Sequence, residues 1–405
     1  MSALESACTI IKRLRDHGHI ALLAGGCVRD RLLGRTPADY DVATDAPPPR
    51  ICRIFRRTKQ VGAQFGVVLV RIGGDELEVA TFRTDGSYRD GRRPESVEFT
   101  TPQEDARRRD FTINGMFLDP LTDEVVDYVG GQQDLANRVV RCIGTPEARF
   151  AEDHLRMLRA VRFAARLGFA IEAETHAAIQ RLAPRISAIS AERIRMELEL
   201  ILTAATRADG WRLLRETELV NHLVAGVTWD EANGERCGRI LAALPERVSD
   251  ALAFAAIFVE LDEPGVERAC AALRCSTAVS RAASYLVRMG RSVQRGEVRE
   301  LADVKFLLVS GHADEALALG RALASVDGCG SADVEALAQR AAGIAPEDYA
   351  PPPFVTGEDL IALKVAPGPR YREILDALYR AQLNDELTTR AAAEARMKQM
   401  VADGG

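Results

Sequence analysis

The sequence lacks apolar runs long enough to cross a membrane, and its N-terminus is not laid out like a signal peptide. Its eight cysteines include no Cys-x-x-Cys pair and have no regular spacing. That pattern argues against zinc sites and against a disulfide framework, and it favours reduced thiols. We therefore expect a cytoplasmic protein that has no membrane partner.

Several familiar nucleotide-binding and hydrolase signatures are also absent. The glycine pair at 25–26 is not part of a G-x-G-x-x-G run, and no G-K-[S/T] follows it, which disfavours a Rossmann site and a Walker loop. There is no H-x-x-x-x-H-D pattern of a phosphohydrolase, and we find no internal repeats or low-complexity tracts.

Length and charge leave room for a polyanionic partner without requiring one. A chain of 405 residues is long enough for two or more domains, and its net charge is -6. Basic residues cluster at 50–59, 89–93 and 107–109. Such clusters are often no more than solvated faces, so both interpretations stay open at this point.

The pattern of apolar residues predicts an α+β chain. Short Val- and Leu-rich runs closed by glycine predict strands at 20–26, 40–44, 65–74 and 76–82, and residues 121–135 suggest a hairpin that turns at its glycine pair. After residue 146, apolar residues recur every three or four positions, which predicts helices. A proline-rich stretch at 343–354 predicts a linker before a last helical segment.

The stretch "LAGGCVRDRLLGRTPADYDVAT" (23–44) combines glycines with paired carboxylates. Asp39 and Asp41 are two residues apart at the start of a predicted strand, so their side chains share one face. Two such carboxylates repel each other unless a cation lies between them, and Mg²⁺ prefers oxygen ligands of this kind. Gly25 and Gly26 permit close approach of a phosphate, the following helix N-terminus favours an anion, and Arg29 adds positive charge. We interpret the stretch as a site for a metal-bound nucleoside triphosphate.

A third carboxylate could join this pair. Glu78 lies in the later strand-like run "ELEVATF", and Glu76 shares its face, so the choice between them stays open. Three carboxylates would permit two-metal chemistry, in which one ion activates a hydroxyl and the other holds pyrophosphate. A lone GG or a lone DxD, however, is more often structural than functional.

The stretch "RRRDFTINGMF" (107–117) has two interpretations. Arg109 and its neighbours could bind phosphates, while Asp110 and Asn114 could hydrogen-bond a ribose hydroxyl. Alternatively, arginine–aspartate pairs here could only tie the strand-rich part of the chain to the helical part.

The stretch "AEDHLRMLRAVRFAARLGF" (151–169) predicts a helix with Asp153, Arg156, Arg159 and Arg162 along one side. These residues could form ordinary ion pairs within the helix. A carboxylate, however, only accepts hydrogen bonds and a guanidinium only donates them. Side by side, they match the amino group and ring nitrogen that cytosine and adenine present. Guanine and uracil offer the reverse order and would leave polar groups unpaired, at about 1–3 kcal/mol each.

These stretches, together with "ERIRMELELIL" (192–202), resemble in order and spacing the class II tRNA nucleotidyltransferases, the family of bacterial CCA-adding enzymes and poly(A) polymerases. The resemblance covers about residues 20–202 and continues weakly at 357–369. It implies a catalytic head (1–145), a neck that recognises the base (146–205), a helical body (206–342), and a linker with a tRNA-binding tail (343–405).

The resemblance also implies roles for the residues singled out above. Asp39 and Asp41 would hold Mg²⁺, and Asp153 and Arg156 would read the incoming base. The remaining implied contacts to the nucleotide are Gly26, Arg29, Arg109, Arg159 and Arg162.

The expected activity is addition of C, C and A to the 3′ end of tRNA from CTP and ATP, with release of pyrophosphate. The segment 81–99 resembles a flexible loop of full CCA-adding enzymes and favours CCA or A addition. An A-adding enzyme or a poly(A) polymerase of the same family remains the alternative, and an inactive RNA-binding protein with this fold is a more distant one. The sequence leaves the oligomeric state open.

Overall fold

The computed structural model describes residues 2–60, 66–85, 97–366 and 368–403. The chain divides into two compact units, Met1–Asp230 with Ala272–Arg274 (unit 1) and Glu231–Ala271 with Cys275–Gly405 (unit 2). The predicted α+β class is confirmed, since strands are concentrated near the N-terminus and helices follow. The four-part division into head, neck, body and tail stays a prediction. Among the described helices, none has the length and apolar character needed to span a bilayer.

Unit 1 begins with a seven-stranded sheet in the order β3-β4-β5-β2-β1-β8-β9. Its neighbouring strands run antiparallel except β2 and β5, which are parallel. Two smaller sheets pair β6 with β7 and β10 with β11. The strands are β1 Ala21–Ala24, β2 Asp41–Thr44, β3 Thr58–Gln60, β4 Val67–Ile72, β5 Asp75–Thr81, β6 Arg83–Asp85, β7 Val97–Phe99, β8 Phe117–Asp119, β9 Glu124–Val126, β10 Val139–Val140 and β11 Ala170–Ile171.

All four strands expected in the first 82 residues are present, but the predicted hairpin at 121–135 is wrong. The hairpin that forms lies earlier, between β8 and β9. Gly130 has a left-handed backbone (φ 80°) and precedes a helix that begins at Gly131. The Asp127 carboxylate accepts hydrogen bonds from the amides of Val129, Gly130, Gly131 and Gln132, so this glycine pair opens a helix instead of closing a hairpin.

Register places two of the predicted carboxylates side by side. The parallel pairing of Val42 with Val79 puts Asp41 and Glu78 at adjacent positions one residue earlier on β2 and β5. Strand β2 begins only at Asp41, so Asp39 lies in the preceding loop. Part of the predicted loop at 81–99, residues 86–96, lies outside the described residues, and so does the basic stretch at 89–93.

The helices of unit 1 carry the second half of the candidate site. They are α1 Ala3–Asp16, α2 Gly26–Leu32, α3 Pro48–Ile54, α4 Pro102–Arg107, α5 Gly131–Asn137, α6 Pro146–Glu152, α7 Leu155–Leu167, α8 Ala173–Leu182, α9 Ala191–Leu202 and α10 Arg207–Glu216.

The continuous helix predicted over 151–169 is interrupted. Helix α6 ends at Glu152 and α7 begins at Leu155, and Asp153 between them is extended (φ -152°, ψ 104°). Its side-chain Oδ1 accepts the amide of Leu155 at 3.0 Å. Aspartate competes with helix hydrogen bonding in this way, so Asp153 starts α7 and does not lie on it.

The regular elements that the structure describes in unit 2 are all helices. Its helices are α11 Glu231–Ala243, α12 Asp250–Ile257, α13 Glu263–Ala272, α14 Thr277–Gln294, α15 Leu301–Val309, α16 Ala313–Val326, α17 Ala332–Ala342, α18 Gly357–Ala362, α19 Pro369–Leu383 and α20 Arg390–Ala402.

The proline-rich linker packs against helix α19 of unit 2. Its Phe354 amide donates to Oε1 of Gln382 at 2.8 Å, and Nε2 of Gln382 donates to the carbonyl of Pro352 at 2.9 Å. Arg380 of the same helix is paired with Glu300 at 2.8 Å, so α19 also contacts the start of α15.

Gly210 lets helix α10 approach α9, which carries part of the site. A Cβ atom at this position would lie 2.5 Å from Cγ2 of Ile201. We expect Gly210→Ala to lower the free energy of unfolding by about 1–3 kcal/mol because of overpacking, although alanine favours helices over glycine.

Chemical denaturation measures this loss. Gly343→Ala is the control, since a Cβ there meets only backbone oxygens at 3.5 Å or more. Equal stability of the Gly210→Ala variant and the wild type would contradict the tight packing.

Candidate active site

A cavity of about 490 Å³ lies within unit 1, and it brings together most of the residues singled out from the sequence. Its volume is typical of a small-ligand site. The predicted residues that line it are Gly25, Gly26, Arg29, Asp41, Arg109, Asp110, Asn114, Asp153, Arg156 and Arg159. Asp39, Glu78 and Arg162 are not part of the lining. Arg108, a neighbour of Arg109 in the arginine row, also lines it. So do four residues that were not singled out from the sequence: Arg83, Leu155, Phe163 and Arg193.

A glycine turn forms one edge of the cavity. Gly25 has φ 74° and ψ -133°, a backbone conformation that other residues rarely adopt, and helix α2 starts at Gly26. A Cβ atom at Gly25 would lie 3.1 Å from Nη1 of Arg109. Glycine is therefore required here both for the turn and for the close approach of this guanidinium.

Three carboxylates, those of Asp39, Asp41 and Glu78, interact at the start of β2. Burial raises the pKa of Asp41 to about 6, the charges of Asp39 and Glu78 add to the rise, and Arg109 opposes it. Glu76 is not among the groups that shift this pKa; it pairs in register with Arg71 on β4. The structure therefore favours Glu78 over Glu76 as the neighbour of the aspartate pair.

A buried chain of hydrogen bonds crosses the floor of the cavity. Nη1 of Arg29 donates to Oδ1 of Asn114 at 2.7 Å, and Nδ2 of Asn114 donates to Asp110 at 3.2 Å. Asp110 in turn accepts from Nε and Nη2 of Arg159 at 2.9 and 2.7 Å. Although burial opposes it, the charge of Arg159 holds the pKa of Asp110 below its ordinary value.

Asp105 orients two arginines of the cavity, and the sequence analysis missed it. Its carboxylate pairs with Arg108 at 2.8 Å and Arg109 at 3.0 Å, and it accepts the amide of Arg83 at 3.2 Å. Despite its burial, these charges hold the pKa of Asp105 below the ordinary value. Asp105 lies on α4, and its spacing of three and four residues before the arginines that follow this helix was the available signal.

The expected base-reading pair lies at the other end of the cavity, and each member already has a partner. Oδ2 of Asp153 accepts from Nη2 of Arg193 at 2.7 Å. Nη1 of Arg156 donates to Glu152 at 2.6 Å and to the carbonyl of Arg149 at 3.2 Å. Both groups are therefore fixed without a ligand, and both line the same cavity as Asp41.

The ring of Phe163 packs against the guanidinium groups of one arginine of α2 and two arginines of α7. This buried ring lies 5.3 Å from the guanidinium carbons of both Arg29 and Arg159, and 4.4 Å from that of Arg162. Arg162 is held away from the lining by Glu197 at 2.7 Å. The sequence analysis treated this aromatic residue only as part of the apolar helix pattern.

The charge balance of the lining favours a polyanion. Seven arginines and three aspartates line the cavity, a surplus of four positive charges. A nucleoside triphosphate carries several negative charges, and arginine binds phosphate oxygens through two parallel hydrogen bonds.

Comparisons with known proteins match this architecture. The model of the poly A polymerase head domain matches residues 21–141, and a model described as a probable RNA and SrmB-binding site of polymerase A matches residues 168–228. A CCA-adding enzyme of Geobacillus thermodenitrificans is 46% identical over 220 residues, 54% of each chain. Another from Enterococcus faecalis is 44% identical over 215 residues, 53% of each. The match thus spans about half the length of these curated relatives.

One solved structure matches over the whole length. The crystal structure of the Bacillus stearothermophilus CCA-adding enzyme in complex with CTP is 31% identical, covers 100% of both chains and has a TM-score of 0.81. The head-domain match places unit 1 among proteins with a poly A polymerase head domain, and the arginine-lined cavity lies in that unit. The chain belongs to the class II CCA-adding enzyme family, as its identity over the full length of the Bacillus structure demonstrates.

Membership of this family implies a divalent metal ion. Among the described residues, no group of three or more histidine, cysteine, aspartate or glutamate side chains is arranged to hold a metal by itself. The raised pKa of Asp41 nevertheless fits a cation, because its carboxylate neighbours outnumber the one arginine that offsets them. Substrate phosphates commonly supply the missing ligands of such an ion.

We expect Asp41→Asn to stabilise the chain near neutral pH and not in acid. A carboxyl whose pKa is raised from 3.8 to about 6 binds its proton more tightly in the folded state. Wild-type stability therefore falls as the pH rises between these two values, by at most about 3 kcal/mol.

Urea denaturation in the presence of a chelator tests this prediction. The free-energy advantage of the variant is expected at about pH 7.5 and should vanish below about pH 4. Glu76→Gln, a change on the same sheet, is the control. An advantage of the same size at both pH values would refute the electrostatic cause.

Proposed function

We propose that this chain adds C, C and A to the 3′ end of tRNA, using CTP and ATP and releasing pyrophosphate. The observation that carries the proposal is that one cavity is lined both by Asp41 beside the glycine turn and by Asp153 with Arg156. The first group suits a metal-bound triphosphate, and the second suits the base of the same nucleotide. The Bacillus relative was solved in complex with CTP, which agrees with the proposal.

We propose that Mg²⁺ is the metal and that Asp39 and Asp41 hold it, with Glu78 as their neighbour. When bound, the ion would lower the pKa of the tRNA 3′-hydroxyl and offset negative charge on the phosphates. The arginines hold the triphosphate in line for attack at its α-phosphate. Gly25, Gly26, Arg29 and Arg109 line the edge of the cavity where the phosphates would lie.

Base selection follows from what each reading group can donate or accept. Asp153 accepts the amino group of cytosine or adenine, and Arg156 donates to the adjacent ring nitrogen. Uracil and guanine would set a carbonyl oxygen against the carboxylate and an N–H against the guanidinium, at about 1–3 kcal/mol for each unpaired group.

We assign the ribose hydroxyl to Asp110 and Asn114, and a nucleotide contact to Arg159. The hydrogen bonds that already join Arg29, Asn114, Asp110 and Arg159 hold them in place for this role. Arg162 is a more remote candidate, since it binds Glu197 and acts on the cavity through Phe163.

We also propose a cytoplasmic location. All eight cysteines lie within the described residues, and none of them forms a disulfide. Thiols in this state are typical of a reducing compartment.

Incorporation of single nucleotides tests the proposed activity. Purified protein is incubated with tRNA that lacks CCA, and with labelled CTP or ATP alone. We expect incorporation of C from CTP alone, and of A from ATP only when the tRNA already ends in CC. An A-adding enzyme or a poly(A) polymerase would use ATP and leave CTP unused, and an inactive RNA-binding protein would use neither.

Removal of the carboxylate pair tests the metal assignment. We expect the double variant Asp39→Ala, Asp41→Ala to lose nearly all nucleotide transfer yet keep its affinity for tRNA, measured by filter binding. Glu76→Gln is the matched control, since it removes a charge from β5 and should leave transfer intact. Unchanged turnover in the double variant would show that the metal is held elsewhere.

A further inference from the structure

Arg193 is a charged residue of the cavity for which neither the motif reasoning nor the comparisons supply a role. It lies on α9, opposite the break between α6 and α7. Its Nη2 donates to Oδ2 of Asp153 at 2.7 Å, and the two side chains are only 17% and 15% exposed. Burial at this level makes the ion pair stronger than a surface pair of the same length.

Asp153 depends on contacts of this kind for its orientation. It lies between two helices in an extended conformation, so no helix rotamer fixes its carboxylate. The amide of Leu155 holds Oδ1 at 3.0 Å and Arg193 holds Oδ2. Each carboxylate oxygen has two lone pairs, so these two bonds set the plane of the carboxylate and still leave acceptor positions.

Helix α9 is itself a firm support for Arg193. Ile194 and Leu198 are buried, and Glu197 binds Arg162 of α7 at 2.7 Å. Gly210 lets α10 pack closely on the same helix. The guanidinium of Arg193 is therefore held at a fixed place relative to α7, on which Arg156 lies.

We propose that Arg193 is a positioning residue for base selection: it holds the Asp153 carboxylate so that a free acceptor position faces the amino group of the base. This inference rests on the proposed function, because it assumes that Asp153 reads the base. Without Arg193, one oxygen of Asp153 loses its partner and the carboxylate rotates about the remaining bond to Leu155. A rotated carboxylate rejects the carbonyl of uracil less well and accepts the amino group of cytosine less well.

Calorimetry tests the inference apart from catalysis. It measures the binding of CTP and of UTP to the purified full chain in the absence of tRNA. We expect Arg193→Gln to weaken CTP binding about tenfold or more, since a hydrogen bond to a charged group is lost, and to leave UTP binding unchanged or slightly tighter. Arg193→Lys keeps the charge but not the planar guanidinium, and should restore part of the difference in affinity between CTP and UTP. Arg195→Gln is the control, because Arg195 lies on the same helix and pairs with Glu199.

Transfer kinetics on tRNA lacking CCA give the second measurement. We expect Arg193→Gln to raise KM for CTP and to lower the ratio of kcat/KM for CTP over UTP about tenfold, in agreement with the binding data. In the Asp153→Asn background the same substitution should change this ratio little, because Arg193 acts through Asp153.

Three outcomes would overturn the inference. They are equal losses for CTP and UTP, a loss of selectivity that is additive with Asp153→Asn, or the same loss in the Arg195→Gln control. If Arg193→Gln does not fold, Arg193→Lys carries the same comparisons. A wild-type chain that binds CTP selectively but transfers no C would sink the proposed function and leave this inference intact.

Discussion

The buried carboxylate of Asp110 is the group on which the whole cavity depends. It accepts hydrogen bonds from Asn114, from the amide of Phe111 and twice from Arg159. Through Asn114 it also fixes Arg29 on the opposite wall. A buried charge that loses its partner typically costs about 3–5 kcal/mol, so this ionised group is a strong tie between the strand-rich wall and helix α7.

One part of the cavity lies beside a group of carboxylates, and another part is rich in arginines. Near β2, carboxylates outnumber their cationic partners, so repulsion by Asp39 and Glu78 adds to the rise in the pKa of Asp41 that burial mainly causes. Toward α7, arginines are in excess but are held by Asp105, Asp110 and Glu152. A cation is therefore favoured beside β2, while the arginines give the rest of the lining its positive surplus, and preorganised charges of this kind cost little to reorganise when a ligand arrives.

The sequence predicted the strands and the co-location of most site residues, since strand alternation and helix spacing are local properties. It did not predict that Asp153 leaves the helix, because the competing hydrogen bond to Leu155 depends on one side-chain rotamer. The glycine pair at 130–131 was misread for a similar reason: Asp127 caps a helix there. Phe163 meets Arg29 and Arg193 meets Asp153 across elements distant in sequence, which periodicity does not reveal. Asp105 was missed although its arginine partners lie only three and four residues further on. The roles of the site residues themselves stay predictions.

The break at Asp153 links the lining of the cavity to the stability of the first turn of helix α7. The same carboxylate that lines the cavity accepts the first amide of α7. Loss of such a cap generally destabilises a helix start by about 1 kcal/mol. Any redesign that exchanges this aspartate for a cationic or apolar side chain therefore also weakens the beginning of α7. A substitution at this position thus keeps the cap only if the new side chain is short and carries an acceptor oxygen, unless a second change supplies a new cap.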